Sequence, residues 1–203
     1  MAKIDFKKEL KHLYSPAKNR IALVEAPKMS FLMADGAGDP TTAQEFGQAV
    51  EALYSVAYTV KFSLKKADGS FDYVVPPLEG LWWADDMEAF LSGKRDEWKW
   101  TLMIMQPEQV TEDVVRKAVE GLSRKKDVPG LERVRLESYE EGLSAQMLYV
   151  GPYSEERSSI ERLHDFIRES GRERRGKHHE IYLSDPRRTE PEKLKTILRQ
   201  PVK

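Results

Sequence analysis

Apolar and polar positions alternate along this chain in two rhythms, one of strands and one of helices. Residues 21–34, IALVEAPKMSFLMA, are strand material interrupted near Pro27, and DGAGDP marks a loop after them. A helix follows: Asp39 is placed to cap it, with Pro40 at its first position. Phe46, Val50, Leu53, Ala57 and Val60 then recur at helical spacing and predict a core-facing stripe. ADGS (67–70) reads as a turn. The extended stretch FDYVVPPLEGLWWA carries two prolines, which argue for an edge or a bulge rather than a central strand. EWKWTLMIMQP (97–107) is a more regular strand. Trp98, Trp100, Leu102 and Ile104 share one face, and both faces turn apolar toward its end, as in a strand buried on both sides.

The second half repeats this order. Thr111 is placed to cap a helix with Glu112 and Asp113 in its first turn, and Val115, Ala118, Val119 and Leu122 form its apolar side. LERVRLESYEEGLSAQMLYVGPY reads as a hairpin turning at EEG. A helix from about Ser154 carries Ile160, Leu163 and Ile167 inward and stops at Gly171. HHEIY (178–182) is a short strand, and TEPEKLKTILRQP closes the chain as a short helix and tail. Strands and helices mixed in this way predict an α+β fold, an antiparallel sheet with helices on one face. Residues 1–203 form one domain, with halves at roughly 20–107 and 108–200 that echo each other in element order.

Composition narrows the class. With 40% hydrophobic and 33% charged residues and a net charge of −1, the 203-residue chain reads as a soluble globular protein with no global pull toward nucleic acid. Residues 168–188 hold seven basic side chains against four acidic ones, the balance of a solvated helix end and loop. No apolar run approaches the roughly 20 residues of a membrane span, and MAKIDFKKELKHLY lacks the apolar centre of a secretory signal. The absence of cysteine removes disulfide, thiol and thiolate-metal chemistry, and it suits a cytoplasmic location.

Two features hold candidate chemistry. All four tryptophans fall within residues 82–100: Trp82 and Trp83 point to opposite faces, whereas Trp98 and Trp100 point the same way. Clustered indoles suit a site for planar or cationic ligands, although filling of the core is the plainer reading. On HHEIY, alternation puts His178, Glu180 and Tyr182 on one face and Ile181, with Leu183, on the other. Periodicity alone leaves Glu180 in solvent. His178 and His179 lack a third ligand at metal-site spacing, so no metal is expected. No nucleophile elbow or phosphate-cradling loop occurs either.

LYVGPYSEE (148–156) with its following helix, HHEIYLSDPRRTEPEKLKTILRQPV (178–202), and the earlier EGLWW and DEWKWTLMIMQP resemble the GyrI-like small-molecule-binding family. The likeness is strongest to stand-alone members ending in a DPRR, KLKT and RQPV tail. It implies two strand-helix-strand-strand modules side by side around a central ligand cleft. Relatives include effector domains of multidrug-responsive activators, where an acidic residue of the last strand meets cationic aromatic drugs; Glu180 stands at the matching place. Other relatives are a gyrase inhibitor and hydrolases that open the cyclopropane of DNA-alkylating cyclopropanoids. About 20 residues precede the first strand, too few for a helix-turn-helix, so direct nucleic-acid binding is not expected.

The resemblance therefore implies a planar hydrophobic or cationic small molecule as partner, and no cofactor. Opening a cyclopropane by water needs a base and a donor at the developing phenolate. Glu180 is the candidate base, Tyr149 or Tyr182 the candidate donor, and Trp82, Trp83, Trp98 and Trp100 the candidate walls. The alternative is a cleft that sequesters or senses such compounds without turnover.

Overall fold

A computed structural model describes residues 3–18, 20–67, 69, 71–85 and 94–203. The turn expected at 67–70 includes Asp68 and Ser70, which lie outside the described residues. Eight strands form one antiparallel sheet: β1 (Ala22–Ala26), β2 (Met29–Ala37), β3 (Glu79–Trp83), β4 (Lys99–Gln106), β5 (Arg135–Tyr139), β6 (Gly142–Val150), β7 (His178–Tyr182) and β8 (Lys195–Pro201), in the order β1-β6-β8-β7-β3-β4-β2-β5. The helices among the described residues are α1 (Phe6–Glu9), α2 (Lys11–Tyr14), α3 (Gln44–Ala67), α4 (Glu112–Ser123) and α5 (Arg157–Glu169). The first module is β2-α3-β3-β4 and the second is β6-α5-β7-β8. They meet where β3 pairs with β7, so the order reads as two mirrored halves.

Four local expectations change. Asp39 does not open α3; its carboxylate accepts from the Thr41 backbone N–H and hydroxyl, capping a separate turn, and the helix starts at Gln44. Pro76 and Pro77 do not push their strand to the edge, because pairing begins beyond them at Glu79 and β3 is central. The tail is no helix: after a single 3-10 turn at Pro191–Lys193 it becomes β8, buried between β6 and β7. And β5 with β6 is no hairpin. β5 pairs with β2, while β6 pairs with β1 and β8.

That last pairing bends the whole sheet. Only three peptide links separate Ala26 from Met29 and Tyr139 from Gly142, a reach of about 11 Å. In a flat sheet, six inter-strand gaps of about 4.8 Å would put each pair of joined strands roughly 29 Å apart. The sheet therefore curls until its edges approach at this end. Glu141, in the β5–β6 turn, reaches over the face away from α3 and α5 to meet His179 and Arg199 of the central strands.

Each face has its own core. On one, Leu32, Trp82, Trp100, Leu102 and Ile104 pack beneath Leu53, Val56, Ala57 and Val60 of α3. In the second module, Ala145, Met147, Tyr149 and Leu198 pack beneath Ile160, Leu163 and Ile167 of α5. On the opposite face, Phe31, Met33, Leu81, Met103 and Met105 form one cluster. Beside it, Ile181 and Ile197 pack with Leu13 and Tyr14 of α2. Trp100 lies so close over Gly36, its partner across β2–β4, that a Cβ there would overlap the indole ring.

A polar network runs through this second face. His179 meets both Glu141 oxygens at 3.0 Å through Nδ1, and Glu79 at 2.9 Å through Nε2. Arg199 donates to Glu141 (3.1 Å), Gln146 (3.0 Å) and the Leu13 carbonyl (2.7 Å), and the Tyr14 hydroxyl donates to Glu79 at 2.7 Å. Burial alone would lower the His179 pKa, but the two carboxylates override it and hold it up at about 9. Burial alone would raise that of Glu141, but His179 and Arg199 hold it down at about 2.

These shifts fix a pH window. The Glu141 contribution is complete above its ordinary value of 4.5 and is lost as pH falls toward about 2. The His179 contribution is complete below 6.5 and is lost as pH rises through about 9. Thermal melts should therefore show the network's contribution greatest between these ordinary values and waning toward alkaline pH. His179→Gln should lower the melting temperature and flatten that alkaline decline; a wild-type decline that survives in the variant would assign it elsewhere.

Candidate functional site

On the helix-bearing face, a cleft of about 1040 Å³ opens over the seam between the modules. Its floor comes from β3 and β7, where Gly80 is the register partner of Glu180. Strand alternation turns Trp82, Glu180 and Tyr182 toward the helices, and Glu79, His179 and Ile181 to the other face. One long wall is α3. Across from it stand the Tyr153–Glu155 turn and Glu156, followed by α5.

At the floor, the Trp82 indole N–H donates to the Tyr182 hydroxyl (3.0 Å), which donates in turn to Glu180 Oε2 (2.8 Å). Glu180 Oε1 lies 3.4 Å from His178 Nε2 on the same strand. Both oxygens of this buried carboxylate thus have fixed neighbours. Gly80 makes the arrangement possible, since a Cβ there would come within 2.7 Å of the Trp82 nitrogen and 3.1 Å of the Tyr182 oxygen.

Glu156 completes the site. Burial first, and the charge of Glu180 second, push its pKa far above the carboxylate range, while Arg95 opposes the shift. Glu180 is thus the close carboxylate neighbour of Glu156, and a like charge beside it disfavours ionisation of Glu156. The Tyr182 phenol is likewise pushed up, by burial and then by Glu180. Tyr153 packs edge-on against Tyr182 at 5.8 Å, and its phenol is pushed up to about 12 by burial and then by Glu180.

The tryptophans separate. Trp82 and Trp98 line the cleft, 5.7 Å apart and edge-on, with Phe46 stacked on Trp82 at 5.9 Å and Arg95 over Trp98. Trp100 faces the same side but is fully buried under Phe46, so it supports the wall instead of forming it. Trp83 lies on the opposite face beneath the Lys177 ammonium, 3.4 Å from its ring, in a separate depression with Asp35 and Arg135. Tyr149 is outside the cleft. Its hydroxyl donates to the Pro152 carbonyl (2.7 Å), bracing the turn that presents Tyr153 and Glu156. Of the seven residues singled out from the sequence, the structure thus brings Glu180, Tyr182, Trp82 and Trp98 together.

A family model described as the GyrI-like small molecule binding domain matches residues 20–203. The chain belongs to the GyrI-like family. Two solved structures from Listeria innocua cover 99% of this GyrI-like chain and all of their own length. One is described as a hydrolase (45% identity, TM-score 0.86), the other as an uncharacterized conserved protein (46%, 0.89). The C-terminal domain of EcmrR shares the fold alone (10% identity, TM-score 0.54, covering 91% of this chain and 97% of its own). No curated protein matches.

Residues 3–15 precede the GyrI-like match, yet they are built into the fold. Ile4 bridges to Tyr73 beside the Val75–Leu78 wall of the cleft, and α2 joins the buried network. Among the described residues, no three His, Asp or Glu side chains are arranged to hold a metal ion, and no helix is long and apolar enough to cross a membrane.

Sequence reasoning missed Glu156, Tyr153 and Gly80. Glu156 was visible only as the second acid of GPYSEE, where nothing separates it from exposed Glu155. Gly80 gives a sharp test. Valine favours strands, so propensity alone predicts a gain for Gly80→Val. Crowding against Trp82 and Tyr182 predicts instead a loss of about 1–3 kcal/mol and shifted tryptophan emission, checked by denaturant titration and fluorescence. A stabilised variant with unchanged emission would show that the cleft floor tolerates a side chain there.

Proposed function

We propose that this GyrI-like protein is a hydrolase that opens the cyclopropane of cyclopropanoid DNA-alkylating compounds by adding water, with Glu180 as base. The observation that carries the reading is the buried Glu180 carboxylate, held by Tyr182 and His178 in a cleft that it shares with Glu156 and the aromatic walls. The Listeria innocua relative described as a hydrolase, similar over its full length, supports it.

In a spirocyclopropane conjugated to a dienone, the water oxygen attacks the ring methylene. The cyclopropane C–C bond breaks, its electron pair flows to the carbonyl oxygen, and the product is a primary alcohol with a phenolate that takes up a proton. Glu180 accepts the proton of the attacking water. Tyr182 and His178 fix the orientation of its carboxylate. Glu156 retains its proton, which limits the pair to one negative charge and gives a route by which the abstracted proton leaves.

A donor for the phenolate oxygen needs an uncommitted proton. Tyr149 donates to Pro152 and Tyr182 to Glu180, so neither serves. We assign the role to Tyr54 or Tyr153, both of which line the cleft near Tyr182: Tyr54 beside Leu78, whose carbonyl accepts from the Tyr182 backbone, and Tyr153 in ring contact. Trp82 and Trp98 hold the planar unit.

One specific observation favours a second reading. A single negative charge enclosed by aromatic rings also suits an aromatic cation, with Glu180 as direct counter-ion and no turnover. Incubation with a spirocyclopropyl dienone, followed by mass spectrometry, decides between them. Native protein is expected to yield the product carrying one added water, and Glu180→Gln to lose about 10²–10⁴-fold in rate with its melting temperature retained. Tryptophan quenching by the compound without a hydrated product would leave the binding reading in place.

A further inference from the structure

The long wall of the cleft has a regular build. Phe46, Val50, Tyr54 and Tyr58 all line it from α3, at steps of four residues that place them in one row. Twelve residues at the helical rise give a row roughly 18 Å long. Phe46, at one end, stacks on Trp82, with Trp98 beyond. Tyr54 lies beside the Leu78 backbone, and the Leu78 carbonyl accepts from the Tyr182 backbone N–H, so this ring stands next to the carboxylate region. Tyr58 continues outward, its ring 6.3 Å from that of Tyr54 and inclined by only 27°. The carboxylates therefore face the middle of the row, and aromatic surface extends to both sides of them.

The outer part has no structural use for its rings. Tyr58 is 46% exposed and stacks on Phe62, itself 58% exposed, although neither covers the core of α3. Glu51 pairs with Lys126 at 2.5 Å and Asp185 with Arg187 at 3.0 Å, so these charges at the rim are matched beside the flat apolar rings, and Lys7 also lines the cleft. The cleft, at about 1040 Å³, sits at the upper end of the range for drug-sized ligands, about 300–1,000 Å³. One bicyclic unit leaves much of it empty.

We infer that the cleft takes an elongated ligand of two joined planar units, one held among Phe46, Trp82 and Trp98, the other stacked along Tyr54 and Tyr58, with the join over Glu180. The second unit is a planar aromatic system, as the stacked rings of Tyr54 and Tyr58 require. This deepens the reading of the cleft as the ligand site and rests on it, but it does not depend on turnover.

Fluorescence titration with a bisbenzimidazole dye and with a single phenylbenzimidazole tests the inference. Native protein should bind the longer dye more tightly. Tyr58→Ala, an exposed position whose fold is checked by circular dichroism, should weaken the longer dye about three- to tenfold and leave the shorter one unchanged, the loss of one ring contact. Trp98→Ala should weaken both. Equal loss for both dyes in Tyr58→Ala, or none for either, would overturn the outer subsite. So would sedimentation showing that Tyr58→Ala converts a dimer to a monomer, which would make the row a self-association face. Failure of both dyes to bind native protein would remove the subsite together with the ligand-site reading. The expected pattern without hydration of any cyclopropanoid would keep the subsite and remove only the hydrolase.

Discussion

The pairing of β3 with β7 is the constraint on which the molecule depends. Among the described residues it is the only seam between the two modules within the sheet order, and it is four residue pairs long. Those few pairs set Gly80 opposite Glu180 and Trp82 opposite His178, and so they set the floor of the cleft. A slip of one residue would exchange the faces, sending Glu180 toward the methionine-rich side and His179 under α3. The register is enforced by the opposite charges on the other face, where His179 fits between Glu79 and Glu141 in one alignment. Buried ion networks often contribute little net stability, because desolvation offsets their attraction. Here the network also discriminates, since a shifted register would bury the same charges without partners.

The two faces of the seam thus divide the labour. Behind it, a carboxylate-imidazole-carboxylate arrangement is satisfied on every side and tied by Arg199 and Tyr14 to the N-terminal helices. In front, two carboxyl groups crowd each other and one Glu156 oxygen has no hydrogen-bond partner among the described residues. Charge is satisfied behind the sheet and crowded in front of it. Alternation along one strand, His179 against Glu180, separates the two.

Much of this was legible because strong local patterns were also right globally. The alternation in HHEIY gave the correct faces, the Thr111 cap holds, with its side chain accepting from Val114, and the stripe Leu53, Ala57 and Val60 is core. Failures came where a short signal met a long-range demand. EEG looks like a hairpin turn, but partners more than a hundred residues away claim both flanking strands. KLKTILRQP has charges at both ends that conceal a central strand, since Arg199 is buried by pairing with Glu141. In the helix after DGAGDP, Phe46 and Val50 belong to the same apolar stripe as the core residues yet line the cleft, and periodicity cannot distinguish a wall from an interior. Trp100 and Trp83 failed as wall residues for different reasons: one is covered, the other faces away.

The crossed edges carry a consequence for the history and assembly of the fold. Each module begins with a strand that it does not keep: β1, just before β2, completes the second module beside β6, and β5, just before β6, completes the first beside β2. The two halves are thus interlocked by exchange, like a domain-swapped pair whose subunits have been joined into one chain. Neither can mature without the other, because its outermost strand is on loan. Residue 22 must find residue 146 before the sheet is whole, and contacts of such sequence separation slow folding. A duplication fused in this manner no longer divides into two working copies. Both modules contribute strands to the floor of a single cleft.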